Sequence, residues 1–259
     1  MYNYFKMIMR YNEEVNSMKK PPVALIVGAG DATGGAIAQR FAREGYTVCI
    51  TRRKINKLYD LVSSIETEGG SVHPFGSDAR REDQVIDLIE KIETDIGPIE
   101  IAVYNVGGNV RFSITETTAR VYLKVWEMCA LGGFLMGREV AKRMLERKKG
   151  TILFTGATAS LRGASGFSAF SGGKHALKAL AESMARELAP KGIHVAHIII
   201  EGAIDTKFIS EMFRHIYALK NQEGILNPEH IAENYLMLHK QPRSAWTFEM
   251  DLRPWTEKW

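Results

Sequence analysis

The chain has 259 residues, of which 45% are hydrophobic and 25% charged, with 34 lysines and arginines against 30 acidic residues. This balance is typical of one folded domain and excludes a disordered, collagen-like or mucin-like chain. The mildly basic charge is spread along the sequence, so it indicates no nucleic-acid partner. The 2 cysteines lie in apolar segments and cannot build a disulfide framework or a Cys-based zinc site, so we expect a cytoplasmic protein.

The first twenty residues predict neither a signal peptide nor a membrane anchor. Their apolar patch, residues 5–9, is short and interrupted by Lys6, and no small-residue cleavage site follows it. No apolar run in the chain approaches the roughly 20 residues that cross a bilayer, so no membrane association is expected. We interpret residues 1–20 as a flexible extension, with Met18 as an alternative start, and residues 21–259 as one domain.

From residue 22 onward, short β-branched segments alternate with longer segments of helical periodicity. Strands are predicted at residues 23–27, 47–51, 71–75, 99–104, 151–155, 195–200 and 248–252. Helices are predicted at residues 36–44, 55–68, 82–96, 117–147 and 167–189. Strands that are apolar along their whole length are covered on both faces, and strands joined through helices run parallel. The pattern predicts an α/β fold of three layers, a doubly wound parallel sheet of the Rossmann type, with ligands at the carboxyl ends of its strands.

A glycine-rich turn, VGAGDATGGAIA, follows the first predicted strand at residues 27–38. Its glycines let the backbone approach a pyrophosphate, whose charge is met by the free N–H groups at the start of the helix. Such a turn can also be a tight connection without a ligand, but its place between the first strand and the first helix favours dinucleotide binding. The candidate contacts are Gly28, Asp31, Thr33 and Gly34.

The end of the second predicted strand indicates which dinucleotide is bound. A site for NAD usually has an acidic residue about 20 residues after the turn, where it holds the ribose 2′-hydroxyl. Here Arg52 and Arg53 stand at that place. Guanidinium groups suit a 2′-phosphate, although the pair could also be solvated residues at the start of a helix. The sequence therefore predicts NADP (NADPH) as the cofactor.

These features resemble the classical short-chain dehydrogenase/reductase superfamily, over roughly residues 22–252. The glycine turn resembles that family's T-G-x-x-x-G-x-G, with Val27 in place of the threonine and Ala32 in place of the middle glycine. YNVG at residues 104–107 resembles its N-N-A-G, and GAIDT at residues 202–206 resembles its P-G-x-x-x-T without the proline. The resemblance implies further cofactor contacts from Asp78, Ala79, Asn105, Lys174 and Thr206.

The family's catalytic tetrad is largely replaced. Its Y-x-x-x-K motif falls on residues 170–174, which keep Lys174 but have Phe170 in place of the tyrosine; Ala157 stands for the serine and Cys129 for the asparagine. In the resembled enzymes the tyrosine exchanges a proton with the carbonyl oxygen. The lysine holds the ribose and lowers the tyrosine pKa, the serine fixes the carbonyl, and the asparagine supports a proton relay. The resemblance thus implies an atypical active site.

Other polar residues could take part in catalysis. Glu201 follows the sixth predicted strand and is a candidate acid, although it could equally be a solvated loop carboxylate. Nearby hydroxyl and carboxyl candidates are Thr155, Thr158, Ser160, Ser165, Ser168 and Asp205. His194 and His197 lie three apart on one strand and should face opposite ways, so no metal site is expected. A hydrolase is disfavoured because residues 166–170, GFSAF, lack the last glycine of a nucleophile elbow.

Two functions remain open. One is an NADP-dependent oxidoreductase that reduces an activated C=C bond or a carbonyl group of a small molecule, because 2,4-dienoyl-CoA reductases of the resembled superfamily also lack the tyrosine and keep the lysine. The other is a catalytically silent NADP-binding sensor or scaffold protein. The helices at 117–147 and 167–189 have more apolar surface than one sheet face covers, so a homodimer or homotetramer is expected. The late tryptophans Trp246, Trp255 and Trp259 could dock on the core or cap a pocket or partner.

Overall fold

The computed structural model describes residues 20–258, which form one parallel sheet with helices on both faces. The expected extension, apart from Lys20, and Trp259 lie outside the described residues. The seven strands are β1 (Val23–Val27), β2 (Thr47–Arg52), β3 (Ser71–Gly76), β4 (Ile99–Tyr104), β5 (Gly150–Thr155), β6 (Ile193–Ile200) and β7 (Glu249–Leu252). Their order across the sheet is β3-β2-β1-β4-β5-β6-β7, and every neighbouring pair is parallel. The predicted doubly wound fold is confirmed, with each strand within two residues of its predicted bounds.

The helices are more numerous than their sequence pattern predicts, and most of the predicted ones are shorter. They are α1 (Thr33–Arg43), α2 (Tyr59–Thr67), α3 (Glu82–Lys91), α4 (Ala119–Trp126), α5 (Gly132–Arg147), α6 (Ser168–Leu188), α7 (Lys207–Met212), α8 (Arg214–Tyr217) and α9 (Pro228–Lys240). The predicted helix 117–147 is confirmed as α4 and α5, joined by a π-helical turn at Glu127–Leu131. Among the helices in residues 20–258, none combines the length and the apolar character that a membrane crossing requires.

The sheet separates two apolar layers. On one face, α1 and α9 pack against the sheet through side chains such as Ile37, Phe41 and Tyr235. On the other face, α3, α5 and α6 pack through Leu88, Met136, Leu177 and others. Both faces of the central strands are therefore buried, which is why β1, β4, β5 and β6 are mostly apolar.

Helix α9 is absent from the sequence-based prediction. It begins in an ordinary way, since the Asn227 side chain accepts a hydrogen bond from the Glu229 N–H and Pro228 occupies the first turn. Its buried stripe ends in a polar contact, where the Tyr235 hydroxyl lies 2.7 Å from Thr155 Oγ1. This contact joins α9 to the carboxyl end of β5.

The strand order places a crevice at the carboxyl end of the sheet. The chain winds outward from β1 to β2 and β3, then returns to add β4 on the other side of β1. The connections that follow β1 and β4 therefore leave in opposite directions and open a gap between them, which is where parallel α/β sheets bind ligands.

Candidate active site

A cavity of about 630 Å³ occupies this crevice. The loop after β1 forms one wall, the loops after β4 and β5 form the floor, and the start of α6 forms the other wall. Among its lining residues are predicted site residues and their neighbours: Gly28, Asp31, Thr33, Gly34, Asn105, Ala157, Thr158, Phe170 and Lys174. The carboxyl ends of the parallel strands thus bring together residues that are up to 146 positions apart in the sequence.

The glycine turn is locked against the end of β4. Gly28 has a φ of +90°, and a Cβ there would lie 2.7 Å from the Asn105 carbonyl oxygen. A Cβ on Gly34 would lie 2.4 Å from the Gly28 carbonyl oxygen. The Asn105 Nδ2 donates a hydrogen bond to that carbonyl at 3.1 Å. Only glycine fits at these two positions, and Asn105 acts on the turn through the backbone.

The same turn has the features of a pyrophosphate cradle. No side chain caps the start of α1, so its first N–H groups have no capping partner there. A Cβ on Gly30 would meet no atom within 4 Å, so this glycine leaves open space on the cavity wall. The buried Thr33 Oγ1 has no hydrogen-bond partner among the described residues. An open cradle, a helix start and an orphaned hydroxyl fit a phosphate group.

A smaller cavity of about 160 Å³ continues beyond the turn and is lined by Arg52, Arg53, Asp78 and Ala79 among others. Arg52 NH1 donates to Asp31 Oδ1 and to the Lys57 carbonyl, both at 3.0 Å. Arg80 pairs with Asp78 at 2.5 Å, and this hydrogen bond holds the pKa of the Asp78 carboxyl below its usual range. The structure therefore brings the two arginines and Asp78 to one wall.

Lys174 lies beneath the large cavity with only 4% of its surface exposed. Its Nζ donates to the Thr155 carbonyl at 2.7 Å and lies 3.5 Å from the Val106 carbonyl, so it bridges the ends of β5 and β4. Burial lowers the pKa of Lys174 from its ordinary value. The Phe170 ring centre lies 5.9 Å from this nitrogen. An ammonium group next to a ring without a hydroxyl is thus the most prominent chemical feature of the site.

Ala157 and Cys129 differ in their access to the cavity. Ala157 lines the cavity, and its N–H donates to Ser160 Oγ at 3.1 Å. Cys129 is fully buried in the π-helical turn, where a Cβ on Gly173 would come within 2.9 Å of the Cys129 Cβ. Cys129 therefore fills a tight space behind α6 and does not line the cavity.

The structure does not bring Glu201 to the cavity wall. Ile200 and Gly202 line the cavity, whereas the Glu201 side chain between them is buried away from it. It is 2% exposed and accepts a hydrogen bond from Arg162 NH2 at 2.6 Å. Arg162, which was not predicted from the sequence as a site residue, does line the cavity.

Asp205 and Thr206 face a neighbouring cleft of about 740 Å³ that also includes Gly30 and Asp31. Asp205 pairs with Lys220 at 2.7 Å. Thr206 caps α7, its Oγ1 accepting from the Ile209 N–H at 3.1 Å. Thr206 thus lies near the glycine turn but has a structural partner already.

Ser171 is a further residue that the sequence analysis does not single out. It lines the cavity, and its buried hydroxyl has no hydrogen-bond partner among the described residues. The sequence could have predicted this position, because residues three apart on a helix share a face and Ser171 is three residues before Lys174. A buried hydroxyl without a partner at a cavity is a candidate donor to a ligand.

The histidines of β6 have structural partners. The His194 ring stacks on Trp246 at 4.9 Å, and its Nε2 is 2.8 Å from the Thr247 carbonyl. His197 Nδ1 lies 3.1 Å from Glu249 Oε2, and burial lowers the pKa of His197 to about 4. Within residues 20–258, no three His, Cys, Asp or Glu side chains cluster as metal ligands.

Known proteins resemble this chain in sequence and in structure. Residues 22–216 match the family model described as short chain dehydrogenase. A crystal structure of a short-chain dehydrogenase from Rhodopseudomonas palustris is 46% identical, covers 90% of this chain and 99% of its own, and superposes with a TM-score of 0.77. Dehydrogenase/reductase SDR family member 4 of Homo sapiens is 32% identical over 191 residues, which are 72% of this chain and 67% of that protein. A metagenomic short-chain oxidoreductase in complex with NADP is similar in fold, with 21% identity, a TM-score of 0.79, and coverage of 91% and 98%.

Proposed function

Because the chain belongs to the short-chain dehydrogenase family and is thus an NAD(P)-dependent oxidoreductase, we propose that it uses NADPH to reduce an activated C=C bond conjugated to a carbonyl group. The observation that carries this proposal is the Phe170 ring beside Lys174 in the cavity. A phenyl ring can neither give nor take a proton, so the usual reduction of an isolated carbonyl lacks its acid there.

NADP is proposed as the cofactor because Arg52 and Arg53 line the smaller cavity and no acidic residue follows β2. The pyrophosphate would lie on the turn that includes Gly28, Asp31, Thr33 and Gly34. Asp78 and Ala79 would border the adenine, Asn105 would hold the turn, and Lys174 the ribose nearest the reaction, with Thr206 at the edge. The NADP in the metagenomic relative agrees with this choice. When bound, the cofactor supplies a hydride to the substrate.

We assign Phe170, Ala157 and Cys129 to the places of the family's tyrosine, serine and asparagine. The assignment is supported by their arrangement around Lys174, since Phe170 and Ala157 line the same cavity and Cys129 packs against Gly173, next to the lysine. Of the four groups that the family uses, Lys174 alone would keep its role. Glu201 lies behind Arg162, so we assign it to holding that arginine in place.

A conjugated carbonyl compound needs less from this site than an isolated ketone. Hydride addition to its C=C bond leaves the negative charge on an enolate oxygen, which is a much weaker base than an alkoxide. The enolate requires hydrogen-bond donors during the reaction and takes its proton on carbon from water. The Ser171 hydroxyl, buried at the cavity without a partner, can donate such a hydrogen bond, and the Lys174 ammonium adds a stabilising charge.

The absence of a proton donor at Phe170 and Ala157 also favours a second candidate, an NADP-binding sensor or scaffold without turnover. NADPH consumption at high enzyme concentration separates the two. We expect oxidation with conjugated enals and enones and almost none with simple ketones. Turnover of a simple ketone at about 1–10³ s⁻¹, the usual range of enzymes, would contradict both candidates, because another residue would then supply the proton.

The protein is also proposed to act as a homodimer or homotetramer. The helices α4 and α5 leave large apolar side chains partly exposed, namely Tyr122, Leu123, Trp126 and Phe134. Such a patch is typical of a surface that meets a second copy. Light scattering at micromolar concentration should give at least twice the monomer mass of 29.0 kDa. Trp126→Lys should reduce that mass, and a wild-type mass near that of the monomer would contradict the proposal.

A further inference from the structure

One arginine lines the part of the large cavity that lies away from the glycine turn, and a second packs against a residue of its wall. Arg162, in the loop between β5 and α6, lines the cavity with 45% of its side chain exposed. Arg111, in the loop after β4, packs against a lining residue, because its guanidinium carbon lies 5.9 Å from the centre of the Phe167 ring. We call this part of the cavity the substrate half; it also includes Asn109, Ala164 and Phe170.

Arg162 is fixed in place but keeps free hydrogen-bond donors. Its NH2 group donates to Glu201 at 2.6 Å, and no other described residue accepts a hydrogen bond from it. A guanidinium has five N–H donors in a planar fork, so most of them remain available to a ligand. Because Glu201 is buried and lies off the wall, it holds Arg162 without closing its outer edge.

Arg111 adds a positive charge that no carboxylate balances. Within residues 20–258 its guanidinium has neither a hydrogen-bond acceptor nor an ion-pair partner, and it lies over the Phe167 ring. The acidic residue on the wall of the large cavity is Asp31, which lies at the opposite end and is paired with Arg52 at 3.0 Å. The substrate half therefore has a surplus of positive charge and no carboxylate on its wall.

We infer that the substrate carries a carboxylate, which Arg162 and Arg111 bind while the conjugated bond lies toward Lys174. The planar fork of a guanidinium matches a carboxylate, with two parallel hydrogen bonds. This inference rests on the proposed function, since it names the substrate class of the same site. A phosphate group can also accept two parallel hydrogen bonds from a guanidinium, so a phosphate ester is one of the compounds in the test.

A matched set of conjugated aldehydes tests the inference. The compounds are 4-carboxycinnamaldehyde, its methyl ester and the phosphate ester of 4-hydroxycinnamaldehyde, compared by kcat/KM with NADPH. One or two charge-assisted hydrogen bonds should favour the acid over the ester by about 10–10²-fold. Arg162→Met and Arg111→Met should each bring this ratio toward one, while Arg186→Met, which removes an exposed arginine from the far end of α6, should keep it. A higher kcat/KM for the phosphate than for the acid would overturn the carboxylate assignment.

Binding measurements separate this inference from the proposed reaction. With NADP⁺ bound there is no turnover, so calorimetric titration gives the affinity for the acid and the ester directly. If the acid binds at least tenfold more tightly and neither compound is reduced with NADPH, the result supports a carboxylate substrate and contradicts the proposed reduction. If both compounds are reduced and bind with equal affinity, the result supports the proposed reduction and contradicts a carboxylate substrate. Because Arg162→Met strands the buried Glu201 carboxylate, the double variant Arg162→Met, Glu201→Gln serves as a folded check and should also lose the preference.

Discussion

The double variant Phe170→Tyr, Ala157→Ser should reduce simple ketones at least on the order of 10²-fold faster than the natural protein. The substitutions place a phenol and a hydroxyl on the cavity wall beside Lys174, whose Nζ is already held at 2.7 Å from the Thr155 carbonyl. A positively charged neighbour lowers the pKa of a phenol, which makes it a better acid. Since the cofactor and the lysine would need no repositioning, proton transfer is the step that the variant restores.

The matched control is Phe167→Tyr, which adds the same hydroxyl to another aromatic residue of the same wall. It should give no ketone reduction. Adding Cys129→Asn to the double variant restores the third group, but asparagine is larger than the fully buried cysteine that it replaces, and Gly173 leaves little room there. The thermal stability of the triple variant should therefore be measured together with its activity. A folded double variant that binds NADPH normally and still fails to reduce any ketone would show that the substrate carbonyl does not reach Phe170.

Loss of Arg52 and Arg53 together should weaken NADPH binding by about 10²-fold or more. Each arginine can make a charged hydrogen bond to the 2′-phosphate worth about 1.5–3 kcal/mol, and every 1.4 kcal/mol changes the affinity by about tenfold. NADH lacks this phosphate, so its affinity should change little in Arg52→Ala, Arg53→Ala. The natural protein should prefer NADPH at least tenfold in calorimetric titrations at low salt, because screening by salt weakens exposed charges.

The two single variants, Arg52→Ala and Arg53→Ala, should weaken NADPH binding to different extents. One nitrogen of Arg52 is held by Asp31 and the Lys57 carbonyl, whereas Arg53 makes no hydrogen bond to a described residue and is free to turn toward a phosphate. We expect Arg53→Ala to lose more affinity than Arg52→Ala, and Arg186→Ala to lose none. Equal affinities of the natural protein for NADPH and NADH would contradict the proposal that these arginines bind the 2′-phosphate.

The sequence predicts the sheet well because its strands are short, β-branched and bounded by glycine or polar residues. The residues that follow those strands, such as Gly28 and Asn105, could be placed at the cavity on topology alone, since parallel strands end at one edge. Helix α9 was missed, although Asn227 and Pro228 are typical of a helix start.

The contacts of the substrate half could not be predicted in the same way. Arg162 and Glu201 are 39 positions apart, and their pairing depends on how a loop folds over the end of β6. Arg111 reaches Phe167 through a loop that has no sequence periodicity. Glu201 lies beyond the end of β6 and before Gly202, whose φ is +121°, so the alternation of a strand does not predict where its side chain points.

The central claim is that the natural protein transfers a hydride from NADPH to the carbon end of a conjugated system. The most direct test supplies NADPH with deuterium at its transferable position, together with 4-phenyl-3-buten-2-one, and locates the label in the product by mass spectrometry and NMR. We predict a saturated ketone with deuterium on the carbon β to the carbonyl. Deuterium on the carbinol carbon of an allylic alcohol would contradict the claim, and so would bound NADPH that transfers no deuterium to this or any other conjugated substrate.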